Sequence, residues 1–87
     1  MRVNMADFGV ATFHSTHSVI KAETLLKDAG LESVRLVPVP SQVSSDCGVT
    51  VRFLRTDIDR VREILSGLTD DLEGFFLGSP EGWKPLP

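Results

Sequence analysis

A strand pattern more regular than any other in the chain runs through Val49-Thr50-Val51-Arg52-Phe53-Leu54, directly after the loop Ser44-Ser45-Asp46-Cys47-Gly48. The apolar side chains of Val49, Val51 and Phe53 recur at every second position. Because successive side chains of a strand point to opposite faces of a sheet, this spacing predicts a β-strand with one apolar face. The only cysteine of the protein, Cys47, lies two residues before this segment, so the strand starts beside a potential nucleophile.

The residues before this strand predict a neighbour at the edge of a sheet. Val34 to Val39 is rich in β-branched residues and predicts a strand, which Pro40 ends. Pro38 lies inside this strand and has no N–H group to donate, so the strand is expected at a sheet edge. The connection from Ser41 to Asp46 is polar and consists mainly of small residues.

Two amphipathic segments predict helices over residues 16–29 and 57–67. Apolar residues recur in both at spacings of three and four, which places them on one helix face. Ser15 or Thr16 can cap the first helix by accepting hydrogen bonds from its free N–H groups. Gly30 is positioned to end it in a left-handed conformation.

Short apolar runs at residues 10–13 and 72–77 predict two more strands, so the order of elements is β-α-β-β-α-β. Right-handed crossovers then favour one arrangement. We predict an α+β fold, a ferredoxin-like βαββαβ sandwich. Its antiparallel four-stranded sheet has the strand order 4-1-3-2 and carries two helices on one face. The strand that contains Pro38 falls at an edge of this sheet.

The chain of 87 residues is long enough for one small domain. We expect this single domain to cover residues 9–78. Residues 1–8 are predicted to be an N-terminal extension, and residues 79–87 a C-terminal tail that contains Trp83.

Charge and hydropathy exclude several classes of partner. Nine basic and twelve acidic residues give a net charge of −3, and no basic run suggests a nucleic-acid surface. No apolar run approaches the ~20 residues that span a membrane, and the N-terminus lacks a signal-peptide pattern. One cysteine cannot form an internal disulfide, so we expect a cytoplasmic protein.

The predicted strand order brings two polar segments to the same end of the sheet. The first strand ends there and the first helix begins, and the second strand ends there and the third begins. The side chains expected to meet are His14, Ser15, Thr16, His17, Ser44, Ser45, Asp46, Cys47 and Gly48. Without a bulge, the Cys47 sulfur faces the helix-covered side, near the start of the first helix. Free N–H groups and partial positive charge at a helix start favour the thiolate form of cysteine.

The same residues are compatible with other roles. Cys47 with His14 or His17 has the composition of a nucleophile and base, but no residue is clearly placed to orient the histidine. These three side chains also offer zinc ligands, without a recognised ligand motif. The hydroxyl-rich helix start is compatible with an anion site, although no Gly-rich phosphate loop is present. In the plainest interpretation, the polar residues form caps and turns, and Cys47 packs as a small apolar side chain.

Several segments resemble one known family. They are Phe13-His14-Ser15-Thr16-His17-Ser18, Lys21-Ala22-Glu23 with Leu25-Leu26-Lys27, Val37-Pro38-Val39-Pro40 and Ser44-Ser45-Asp46-Cys47-Gly48. In order and spacing they resemble the Se/S (selenium/sulfur) carrier protein-like family, small bacterial proteins with one motif cysteine. The resemblance covers residues 11–77, and the Ser-Ser-x-Cys-Gly segment is its most specific part.

The resemblance implies a cytoplasmic carrier of sulfur or selenium and not an enzyme. Cys47 would be the carrier thiol, bearing a transient persulfide or selenosulfide, with no cofactor and no metal. A donor such as a cysteine desulfurase would load it, and an acceptor of unknown identity would receive the cargo. The alternative is a non-catalytic ferredoxin-like binding or regulatory module. In that module the open sheet face forms a homo-oligomer and Cys47 is structural.

Overall fold

The computed structural model describes residues 5–43, 45, 47–68 and 70–86. It contains two α-helices and five strands in one sheet. In chain order these are β1 (Phe8–Phe13), α1 (Thr16–Asp28), β2 (Arg35–Pro38), β3 (Val49–Leu54), α2 (Ile58–Ile64), β4 (Leu72–Ser79) and β5 (Gly82–Leu86). Short 3-10 helices precede β1 and flank α2, at Met5–Asp7, Arg55–Asp57 and Leu65–Leu68. The helix predicted over residues 57–67 is therefore shorter, and 3-10 turns take up its ends.

The sheet is antiparallel throughout and has the order β2-β3-β1-β4-β5. The predicted α+β fold with an antiparallel sheet and two helices is confirmed. The prediction of four strands is wrong, because β5 lies beyond β4, so the order 4-1-3-2 is incomplete. The strand with Pro38 does lie at an edge, where the missing N–H group leaves no gap in a ladder.

Both ends of the described chain are more ordered than predicted. Phe8 belongs to β1 and pairs with Leu54, although the sequence predicts residues 1–8 as an N-terminal extension. The predicted tail forms β5, in which Trp83 pairs with Gly78 of β4. Gly82 has φ +133, a conformation that favours glycine, and this lets the chain turn back directly after β4. Because β5 is an edge strand, it also tolerates a proline.

The core lies between one face of the sheet and the two helices. A single buried cluster joins strand residues Ala11, Phe13, Val51 and Phe53 to helix residues Val19, Ala22, Leu26 and Val61. Since alternate residues of a strand share a face, both helices cover the same side of the sheet. Among the described residues, no helix is long and apolar enough to cross a bilayer.

Local signals at the ends of α1 are those that the sequence predicts. Ser15 is the N-cap, and its hydroxyl oxygen accepts a hydrogen bond from the Ser18 N–H at 3.3 Å. Gly30 follows the helix with φ +96. These two residues fix where α1 starts and ends, and the start of α1 is the part that meets Cys47.

The described part of the β2–β3 connection (residues 39–43, 45, 47 and 48) reaches the far edge of the sheet. Gln42 Oε1 accepts a hydrogen bond from the Trp83 N–H at 3.2 Å, although β2 and β5 are the two edge strands. Val43 is buried but lies outside the cluster between sheet and helices. Val10 and Thr12, on the side of β1 that the helices leave free, are fully buried as well. Together these observations indicate that the connection crosses the helix-free face of the sheet.

Candidate functional site

Cys47 lies two residues before β3, at the start of α1. Its side chain belongs to the buried cluster and is only 6% exposed. The Sγ atom lies 3.2 Å from Oγ1 of Thr16, the first residue of α1, and either atom can be the donor. The predicted meeting of the first helix start with the cysteine loop is therefore confirmed. The sulfur faces the helix side, the direction expected for a strand without a bulge.

Ser45 holds the backbone of Cys47 in place. The Cys47 N–H donates to Ser45 Oγ at 3.2 Å. The Ser45 hydroxyl in turn donates to Glu73 Oε1 at 2.6 Å, and the Phe13 carbonyl oxygen lies 3.2 Å from the same hydroxyl. A serine hydroxyl has a single proton, and the short bond to a carboxylate is the stronger use of it. A continuous path of hydrogen bonds therefore connects β4 to the cysteine.

Asp71 forms a second polar group beside the same helix start. The Ser15 hydroxyl donates to Asp71 Oδ2 at 2.7 Å, and the Asp71 carbonyl accepts from the His14 N–H at 2.9 Å. Hydrogen bonds from the hydroxyls of Ser18 and Ser15 lower the pKa of Asp71, and the nearby His14 adds to the effect. Asp71 is therefore ionised at neutral pH. Its carboxylate binds the N-cap residue Ser15 and so connects the start of α1 to the chain directly before β4.

The two histidines lie at the start of α1 and differ in their surroundings. His14 is half exposed, and its Nδ1 lies 3.8 Å from Glu73 Oε2, which makes an ion pair when the imidazole is protonated. His17 is exposed on the first turn of α1. Within the part of the chain that the structure describes, no group of three or more His, Cys, Asp or Glu side chains is arranged to hold a metal ion. The zinc alternative consequently has no geometric support among the described residues.

The other predicted site residues differ in how closely they approach Cys47. Thr16 and Ser45 contact Cys47 directly, and Ser15 lies one step away as the N-cap. Gly48 is exposed, and its carbonyl accepts from the Val39 N–H at 3.2 Å across the base of the connection. Ser44 and Asp46 lie outside the described residues.

Asp71 and Glu73 were not predicted as part of this site. Both lie at the start of β4, more than 20 residues from Cys47 along the chain, within no recognisable local motif. The signal that could have found them is topological. In the predicted strand order the start of the fourth strand lies beside the end of the first, so its polar residues had to meet residues 13–15.

The arrangement places a thiol beside a hydroxyl group at the start of a helix. It does not provide open access, because Cys47 is almost fully buried. A reaction at this sulfur therefore requires the loop that carries it to move, or a partner that moves it.

Comparison of the chain with family models gives one match that includes the whole site. The model described as "Putative Se/S carrier protein-like" matches residues 8–76, from the start of β1 into β4. Comparison with curated proteins and with solved structures gives no match. The family match covers well over half of the chain and includes Cys47 and every described residue that contacts it. The chain therefore belongs to the Se/S carrier protein-like family.

Proposed function

We propose that the protein is a carrier of sulfur or selenium and that the carried atom is bound to the sulfur of Cys47. The supporting observation is the position of the only cysteine, with its Sγ 3.2 Å from the Thr16 hydroxyl at the start of α1. The thiol therefore lies beside a hydroxyl group at the start of a helix, within a segment that the family model covers. The family to which the chain belongs agrees with this role.

The proposed loading step is thiol exchange. The Cys47 thiolate attacks the terminal sulfur of a persulfide on the donor, for example a cysteine desulfurase. A bond forms between Cys47 Sγ and that sulfur, the sulfur–sulfur bond of the donor breaks, and the donor cysteine leaves as a thiolate. The same exchange passes the sulfur from Cys47 to a thiolate on the acceptor. Neither step needs an external oxidant or reductant, and selenium can follow the same course.

Loading can be tested by mass spectrometry of the intact native protein. The protein is incubated with a cysteine desulfurase and cysteine, or with the same class of enzyme and selenocysteine. We expect the mass of one added sulfur or selenium atom, removed by a reducing thiol and absent from Cys47→Ser. No addition to the native protein, with a desulfurase that loads another acceptor in parallel, would contradict the proposal.

Burial favours a second candidate function, a binding module in which Cys47 is a structural core residue. A free cysteine packs well as a small apolar side chain, and the Cys47 side chain lies within the core cluster. Alkylation distinguishes the two. A structural cysteine reacts only when the whole protein unfolds, whereas a carrier cysteine reacts through local opening under native conditions.

A further inference from the structure

The hydrogen bonds that hold the backbone of Cys47 extend from Ser45 in the cysteine loop to Glu73 in β4. Ser45 Oγ accepts from the Cys47 N–H at 3.2 Å and donates to Glu73 Oε1 at 2.6 Å. Glu73 is itself mostly buried, with a side chain that is 19% exposed. The carboxylate thus belongs to a residue of the sheet, and it is connected to the Cys47 N–H through the Ser45 hydroxyl.

Among the described residues, two hydrogen bonds restrain the backbone at Cys47 and Gly48: the Cys47 N–H donates to Ser45 Oγ, and the Gly48 carbonyl accepts from the Val39 N–H. A Cβ added to Gly48 would meet nothing within 4 Å, so the chain has free space directly after the cysteine. The Sγ atom has a single described hydrogen-bond partner, the Thr16 hydroxyl. Rotation of the Cys47 backbone toward solvent is therefore opposed by side-chain burial, by the Thr16 contact and by the bond to Ser45, while the Val39–Gly48 bond holds the chain one residue further on.

We infer that Ser45 and Glu73 are positioning residues that keep the Cys47 thiol closed, and that breaking their hydrogen bond opens the thiol to reagents and partners. This inference goes beyond the proposed function, because it concerns access to the sulfur and not the cargo. Acting through the Cys47 N–H, the pair sets the population of molecules in which the sulfur is exposed.

The expected effect is a faster reaction of the native thiol. When opening is rare and rapid, the rate of alkylation is proportional to the open population. Loss of a hydrogen bond to a charged group changes such an equilibrium by about tenfold or more. Ser45→Ala is therefore expected to accelerate alkylation of Cys47 by iodoacetamide about tenfold.

The experiment measures alkylation of the full chain by mass spectrometry in buffer and in low urea. Ser45→Thr keeps a hydroxyl and is expected to react at nearly the native rate. Ser66→Ala removes a serine hydroxyl whose described hydrogen bond is to the Glu63 carbonyl, three residues earlier, and is the matched control with an unchanged rate. Glu73→Ala is expected to accelerate alkylation as Ser45→Ala does, and the double variant to react no faster than either single variant.

Two results would overturn the inference. In the first, Ser45→Ala and Ser45→Thr react at the same rate, so the hydroxyl has no part in closing the thiol. In the second, the acceleration in Ser45→Ala has the urea dependence of global unfolding, which would make it a general loss of stability. Local opening predicts acceleration that is nearly independent of urea. The test needs no desulfurase, so it can fail or succeed separately from the carrier proposal.

Discussion

Gly82→Ala tests whether the β2–β3 connection reaches β5 as the structure shows. Gly82 has φ +133, and a Cβ at this position would lie 2.5 Å from Gln42 Oε1. The positive φ alone costs an L-residue about 1–2 kcal/mol. The steric contact is with the end of a flexible side chain, so Gln42 can swing away. It then loses its hydrogen bond from the Trp83 N–H, which is worth about 0.5–1.5 kcal/mol.

The two costs sum to about 1.5–3.5 kcal/mol of unfolding free energy, measured by urea denaturation followed by circular dichroism. Gly30→Ala is the matched control, because Gly30 has φ +96 but a Cβ there would meet nothing within 4 Å. It should show the backbone cost alone. A Gln42→Ala background isolates the other part, because the contact and the hydrogen bond are then already absent.

In that background, Gly82→Ala should be less destabilising than in the native chain by about 1 kcal/mol. Equal costs in both backgrounds, within about 0.3 kcal/mol, would refute the contact between Gln42 and Gly82. The path of the connection across the helix-free face would then have to be abandoned.

Other predictions concern the core and the acidic residue beside the helix cap. Gly9→Ala should destabilise the protein by about 1–3 kcal/mol in urea unfolding, because its Cβ would lie 2.5 Å from the Phe53 ring; no loss would contradict this packing. Leu26→Ala, at a fully buried position, should cost about 2–5 kcal/mol. A loss no larger than that of the half-exposed Leu25→Ala would argue against the helix orientation. The lowered pKa of Asp71 means that it stabilises the fold above the unfolded value near pH 3.8, and that this stabilisation is lost as the pH falls through the lower folded value. Asp71→Asn should therefore lose less stability than the native chain between neutral pH and strong acid, and an equal loss would disagree with the Ser15 and Ser18 hydrogen bonds.

The sequence contains clear signals for the elements that build the core. The alternation of Val49, Val51 and Phe53 predicts β3 with its observed ends, and the Ser15 cap and Gly30 bracket α1. These signals are local, since each depends on side-chain periodicity or on one residue's backbone preference. They also place Pro38 at an edge, where the structure has it.

The fifth strand has no such signal. Its five residues include Gly82 and Pro85, which are typical of turns, and they show no alternation of apolar residues. β5 is stabilised by pairing with β4 and by the contact from Gln42, both of which are tertiary. The local conformational preferences of residues 82–86 therefore predict an unstructured tail, although β4 of the assembled sheet provides a strand with which they pair.

Some contacts of the candidate site could be predicted from the sequence, and others depend on tertiary structure. Chain order was enough to place Thr16 beside Cys47, because both lie at ends of elements that the strand order brings together. Glu73 and Asp71 reach the site because β4 pairs with β1. Nothing in their immediate sequence marks them as neighbours of a cysteine. Burial of the thiol could not be predicted either, since it depends on how the whole connection packs.

Single-turnover sulfur transfer tests the carrier proposal most directly. A cysteine desulfurase is preloaded with a radiolabelled persulfide, freed of cysteine and mixed with the native protein. We predict that one equivalent of label moves to Cys47, is released by a reducing thiol and does not appear on Cys47→Ser. Label that stays on the desulfurase, while another thiol acceptor discharges the same preparation, would contradict a carrier role for Cys47.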